Sequence, residues 1–86
     1  MSKIRDLLNR IMWHPNEDPR NYEIVFIHRG APNNLKVIPA WCIVKVKAGS
    51  FEYELQGEFG HIPFHRIVEI RDKKNGRLVW RSPKHV

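Results

Sequence analysis

Ile4-Arg5-Asp6-Leu7-Leu8-Asn9-Arg10-Ile11-Met12 places Ile4, Leu7, Leu8, Ile11 and Met12 at the i, i+3, i+4, i+7, i+8 spacing of an amphipathic helix. Ser2 is the candidate N-cap, since its hydroxyl can accept a first-turn N–H. Pro15 disfavours helical geometry at His14, so the helix is expected to stop near Met12 or Trp13. Three turns are marginal alone in water. The apolar stripe therefore needs a partner surface, with Ile4, Leu7, Leu8 and Ile11 buried against it, and the rest of the chain reads as a sheet.

The segment His14 to Asn21 is polar, holds Pro15 and Pro19, and reads as a loop. Tyr22 to His28 follows as a first strand with Tyr22, Ile24, Phe26 and His28 on one face. A second strand is expected over Ile38 to Lys47. Ile38, Ala40, Cys42, Val44 and Val46 share one side of it, and Trp41, Ile43, Lys45 and Lys47 the other. Phe51, Tyr53 and Leu55 alternate with Glu52, Glu54 and Gln56 as a half-buried strand. A break over Gly57 to His61 leads into Ile62 to Arg71, where Pro63 marks a strand start or an edge. Asn75-Gly76 signals a hairpin. As a two-residue turn it sets Ile70 opposite Arg81 and Arg71 opposite Trp80. No internal repeat or low-complexity stretch is found. The expected fold class is α+β, an N-terminal helix packed on a curved antiparallel sheet of about five short strands, with closure of the sheet left open.

Eighty-six residues make one domain, 1–86, with a frayed tail over 83–86. Such a chain buries roughly 60–65% of its unfolded surface, enough for one core. Apolar types make up 42% and charged types 28%, which argues against disorder. No apolar run approaches the ~20 residues that span a bilayer. The N-terminus does not read as a signal peptide, and the cytoplasm is the expected compartment. The single cysteine, Cys42, excludes an intrachain disulfide framework. Charge is uneven: residues 1–60 carry eight basic and seven acidic side chains, net +1, and residues 61–86 carry seven and two, net +5. A field concentrated in one third of a small domain favours polyanionic partners, nucleic acid first; the alternative is a solvated face that aids solubility.

Two dipeptides stand out. His28-Arg29 precedes Gly30, and His65-Arg66 follows Pro63-Phe64. Each sets an imidazole beside a guanidinium whose planar fork matches phosphate. Strand alternation lets only part of each pair face a common site, so the histidines rank as direct contacts with at least one arginine beside them. His28, Arg29, His65 and Arg66 are expected to converge on one concave surface. Lys45, Lys47, Arg71 and Arg81 would supply the salt-sensitive contacts to an RNA backbone. Trp41 faces the way of Lys45 and Lys47 and is the stacking candidate; Trp13 and Trp80 are assigned to the core. His61, His65, His28 and Cys42 match no metal-ligand spacing, and mid-strand Cys42 reads as a small hydrophobe, so no metal is expected. No glycine-rich phosphate loop, HExxH or GxSxG is present, and no cofactor is implied. No histidine begins an H-x-[ST] motif, which weighs against the two-histidine phosphoesterases.

Trp13-His14-Pro15, His28-Arg29-Gly30, Ile62-Pro63-Phe64-His65-Arg66-Ile67 and Gly76-Arg77-Leu78-Val79-Trp80-Arg81 resemble, in that order, the signature of an uncharacterised archaeal family, number 0248 (domain of unknown function 504), also called the RNA cyclic-group-end recognition domain. The resemblance runs from the helix to about Arg81. It implies recognition of RNA ends bearing a 2′,3′-cyclic phosphate, with His28, Arg29, His65 and Arg66 at the phosphate. The family pattern has Asp where this chain has His14. Two other classes stay open: a cyclic phosphodiesterase with His28 and His65 as general base and acid, and a non-catalytic protein-interaction module.

Overall fold

A computed structural model describes residues 3–83. Helix α1, Lys3–Trp13, buries Ile4, Leu8 and Ile11 and half-buries Leu7 and Met12. It closes with the His14 N–H donating to Arg10 O at 3.0 Å, just before Pro15. The proposed Ser2 cap lies outside the described residues. Trp13 is a correction. It sits at the helix end on the face away from the core and is 64% exposed.

Seven strands follow: β1 Tyr22–Ile27, β2 Leu35–Pro39, β3 Ile43–Val46, β4 Ser50–Leu55, β5 Glu58–Pro63, β6 Ile67–Asp72 and β7 Arg77–Arg81. They form two antiparallel sheets in place of one, ordered β2-β1-β6-β7 and β3-β4-β5. The class is α+β as expected. Ile4, Leu8 and Ile11 meet Ile24, Phe26, Ile38 and Ile70 of the larger sheet and Ile43, Phe51, Tyr53 and Ile62 of the smaller in one apolar cluster. Phe26, Phe51 and Tyr53 lie within 5.9–6.4 Å of one another, centroid to centroid, in tilted and edge-on pairs. Such pairs add about 0.5–1.5 kcal/mol each beyond the area they bury.

Two expected strands are each broken once, at a proline. In Ile38-Pro39-Ala40-Trp41-Cys42-Ile43-Val44 and Ile62-Pro63-Phe64-His65-Arg66-Ile67-Val68, proline in extended geometry opens a 3₁₀ turn, Ala40–Cys42 or Phe64–Arg66. The closing isoleucine N–H donates back to Ala40 O or Phe64 O. Each turn carries the chain from one sheet to the other. The two segments are a short repeat, Ile-Pro-x-x-x-Ile-Val, contrary to the reading that found none. The turn advances side chains by about 120° per residue where a strand advances them by 180°. The expected alternation is therefore lost after Cys42: Ile43 is buried, while Val44, expected inward, is 52% exposed.

The two hairpins also differ from expectation. Gln56 and Gly57, both at positive φ (52° and 84°), form a tight turn, so β5 begins at Glu58 where a break was expected. Between β6 and β7 the loop spans four residues, tied by the Asp72 carboxylate, which accepts the Lys74 N–H at 2.9 Å. With a bulge at Ile70/Arg71 this moves the register: Ile70 lies opposite Trp80, and Arg71 opposite Leu78. Trp80 thereby packs partly buried against the core. The Ser82 N–H donates to Val68 O at 2.8 Å, so the chain is still held at the start of the expected tail; residues 84–86 lie outside the described part. Among the described residues no helix is long and apolar enough to cross a membrane.

Candidate anion-binding rim

The antiparallel register decides which cations meet. Phe26 pairs with Lys36 on β2 and with Ile67 on β6, and Glu69 pairs with Arg81 on β7. The end of β1, the starts of β2 and β6 and the end of β7 thus share one end of the four-stranded sheet. His28-Arg29 leaves β1 there, His65-Arg66 enters β6 there, and Arg81 closes β7 there. Arg29, Arg66 and Arg81 are exposed and make no ion pair or side-chain hydrogen bond among the described residues. The loop after β1 is pinned by His28 N–H to Asn34 O (2.8 Å) and Ala31 N–H to His28 O (3.2 Å), with Gly30 at φ 93°. Positive φ suits glycine, which has no Cβ to clash.

The two imidazoles stand in different surroundings on this rim. His28 is half-buried and packs edge-on against Phe26, 6.2 Å between centroids. Beside it lies a polar cluster with no signal in the sequence. Lys36 Nζ and Tyr53 Oη both donate to Glu58 Oε2, the latter at 2.9 Å. Lys36 also lies over the Tyr53 ring, 5.8 Å from its centroid. The Lys36 ammonium, then the Tyr53 hydroxyl, hold the Glu58 carboxyl below its ordinary value, and the nearby His28 acts in the same sense. Glu58 in turn raises Lys36, while Tyr53 is raised by burial first and by Glu58 second. Twenty-two positions separate Lys36 from Glu58, which is why no local pattern announced the pair.

His65 is exposed and lines an open pocket of about 200 Å³ with Ile4, Phe64, Trp80, Ser82 and Pro83. Phe64 and Trp80 contribute aromatic surface, Ile4 and Pro83 aliphatic surface, and His65 and Ser82 polar groups. Phe64 and Trp80 both fall within the quoted motifs; Trp80, assigned to the core from sequence, packs against it partly buried while also lining this pocket. Among the described residues no hydrogen bond, ion pair or ring contact joins His28 to His65.

The remaining candidates lie elsewhere. Arg71 sits toward the opposite end of β6, held by Glu23 at 3.0 Å and facing Glu69 at 3.8 Å. Its buried Nε has no hydrogen-bond partner among the described residues. Lys47 pairs with Glu52 at 2.8 Å, which lowers that carboxyl. Lys45 is exposed on β3 and makes no ion pair among the described residues. Trp41, on the Ala40–Cys42 turn, is 51% exposed, in the place His65 takes in the other corner turn. Cys42 is buried and its thiol is pushed up to about 11 by desolvation, so at neutral pH it is an inert hydrophobe. Among the described residues no group of His, Cys, Asp and Glu could hold a metal ion. The departure at His14 has a structural account: its Nδ1 accepts the Asn16 N–H at 3.1 Å. That is the turn-closing bond to the backbone two residues on that an aspartate makes.

The model of the MJ1316 RNA cyclic group end recognition domain matches residues 1–82. A UPF0248 protein of Methanococcus vannielii is 38% identical over 79 residues, covering 92% of this chain and 90% of the relative. UPF0248 protein MJ1316 of Methanocaldococcus jannaschii is 35% identical over 84 residues, 92% of each chain. A UPF0248 protein of Thermococcus gammatolerans is 40% identical over 77 residues, 90% of this chain and 86% of the relative. No solved structure matches the chain.

Proposed function

The chain belongs to the family of the MJ1316 RNA cyclic group end recognition domain, and from that premise we propose that it is a cytoplasmic RNA-binding module that reads RNA ends, 2′,3′-cyclic phosphate termini in particular. The observation that carries the reading is the collection of His28, Arg29, His65, Arg66 and Arg81 at one end of the four-stranded sheet, with three guanidinia unpaired among the described residues. Guanidinium forks bind phosphate oxygens bidentately, and an imidazole N–H adds a directed donor. The pocket beside His65 takes the terminal base against Phe64 or Trp80. Lys45, and Lys47 and Arg71 by exchanging carboxylate for phosphate partners, add the backbone contacts, and Trp41 stacks a further base.

Binding is favoured over hydrolysis because the sequence carries no paired catalytic motif: no histidine begins an H-x-[ST] element. The deciding experiment titrates the protein with matched oligoribonucleotides ending in 2′,3′-cyclic phosphate, 3′-phosphate or hydroxyl and follows both binding and turnover. Selective binding of the cyclic end without turnover is expected. Turnover of the cyclic end would establish a phosphodiesterase. Equal or absent binding of all three would leave a protein-interaction module.

A further inference from the structure

We propose that Lys36, Tyr53 and His28 form the seat of the terminal phosphate, and that Glu58 occupies it in the free protein as an internal stand-in for that anion. The inference rests on the RNA-end reading above and gives its anion site a donor set and a basis for selectivity.

Lys36 is the anomaly that starts the argument. It is two residues from Ile38 on β2 and so shares the core-facing side of that strand. Its side chain is only 24% exposed. Its stem is covered while its ammonium reaches the surface, where a carboxylate meets it. That carboxylate comes from far along the chain and is itself 50% exposed. Glu58 is the first residue after the tight Gln56-Gly57 turn, at the tip of the β4–β5 hairpin. Swinging its side chain into water needs no change in the sheet. Lys36 lies over the ring of Tyr53, which is buried in the core.

The donors that Glu58 engages are those a phosphate diester would use. One carboxylate oxygen takes a charged N–H from Lys36 and an O–H from Tyr53. A cyclic phosphate presents two non-bridging oxygens with one shared negative charge, so it replaces the carboxylate charge for charge. His28 and Tyr53 both pack against Phe26, 6.2 and 5.9 Å between centroids, and on this proposal the imidazole adds a third donor. The displaced Glu58 stays on the hairpin tip and keeps its charge. It therefore opposes an end with two negative charges more than an end with one. A 3′-phosphate monoester, close to dianionic at neutral pH, is the end so penalised. Glu58 is thus a specificity-determining residue as well as an occupant.

The test uses the full chain as wild type, Glu58→Gln and Lys36→Met, with circular dichroism and thermal unfolding confirming that each variant folds. The first arm titrates inorganic phosphate while following the His28 and Tyr53 ring resonances by NMR. Both are expected to shift, saturating at about five-fold lower phosphate in Glu58→Gln, the scale of one exposed like-charge interaction. They are expected to move little in Lys36→Met. Identical titrations in wild type and Glu58→Gln, or no shift of either ring in both, overturn the proposal. The second arm uses the three oligoribonucleotides. Glu58→Gln is expected to gain more affinity for the 3′-phosphate end than for the cyclic end, narrowing the preference. An unchanged ratio overturns the selectivity role. If wild type discriminates no end while phosphate still shifts both rings, the RNA-end reading falls and the anion seat stands.

Discussion

Replacing Gly60 with alanine should destabilise this protein, against the usual rule for a glycine inside a strand. Gly60 lies directly opposite Tyr53 in the β4–β5 pair. The phenol ring lies across the space a side chain would fill: a Cβ built at Gly60 would sit 2.2 Å from Tyr53 Cε1 and 2.6 Å from Cζ. Tyr53 has little room to yield, because its ring is buried and its hydroxyl is held by Glu58 at 2.9 Å. Ordinary glycine cost would make alanine stabilising by about 0.5–1 kcal/mol in a strand. Against this, overpacking costs about 1–3 kcal/mol. Pulling the hydroxyl from a charged acceptor costs about 1.5–3 kcal/mol more, if fully broken. With the hydrogen bond about half kept, the net loss is about 1–4 kcal/mol, against the roughly 4–13 kcal/mol a domain of this length holds. Since 1 kcal/mol moves the midpoint by about 4–8 °C at this size, Tm should fall by about 4–32 °C. Thermal and urea unfolding followed by circular dichroism measure it. The same substitution in a Tyr53→Leu background should be close to neutral, the coupling expected of residues in contact. A Gly60→Ala protein as stable as wild type, or equal losses in both backgrounds, would refute the reasoning.

His28→Ala and His65→Ala should each weaken cyclic-end binding by about 1–3 kcal/mol, as for loss of a charge-assisted bond, with little change in Tm for exposed His65 and a loss of about 0.5–1.5 kcal/mol of stability for His28, whose ring packs on Phe26; unchanged affinity in both variants removes the imidazoles from the site. Affinity for RNA should fall steeply between low and physiological salt, as displaced counterions require; a flat salt profile measured by fluorescence anisotropy would mean that phosphate contacts are not the main contribution. Glu58 has its folded pKa depressed, first by Lys36 and then by Tyr53, so its contribution to stability is complete above its ordinary value near 4.5 and is lost as pH falls through the folded value. Glu58→Gln should accordingly flatten the acid limb of stability against pH, leaving the slope from Asp18 and Glu52, whose carboxyls are also lowered; an unaltered limb would place the charge elsewhere. Trp13→Ala should change stability by less than about 0.5 kcal/mol, as for a surface position, while Trp80→Ala should cost about 2 kcal/mol or more, as for a packed indole; equal losses in urea melts would contradict their placement.

Residues that act through their immediate neighbours were legible in the chain. Ile4, Leu8 and Ile11 mark the helix because a 3.6-residue period is a local property, and Phe51 and Tyr53 mark β4 because alternation is too. Pro15 ends the helix by a clash with the residue before it, which needs no tertiary partner. The two His-Arg steps were visible as chemistry, and the positive end of the chain as a field. What the tertiary structure decided is everything that depends on strands distant in sequence meeting. Ile38 to Val44 reads as a continuous strand until the second sheet exists to receive it. Only then does Pro39, with no N–H for a ladder, become a corner, and its likeness to the corner at Pro63 become meaningful. Trp13 and Trp80 are the same residue type, and which one is covered depends on where β7 pairs with β6. Lys36, Tyr53 and Glu58 carry no shared motif. They meet because Phe26 pairs with Lys36 across β1 and β2, and because the Gln56-Gly57 turn brings β5 back along β4. A contact between residues twenty-two positions apart costs loop closure before it yields anything. Its geometry is therefore set by the whole packing of the two sheets, and no window of sequence contains it.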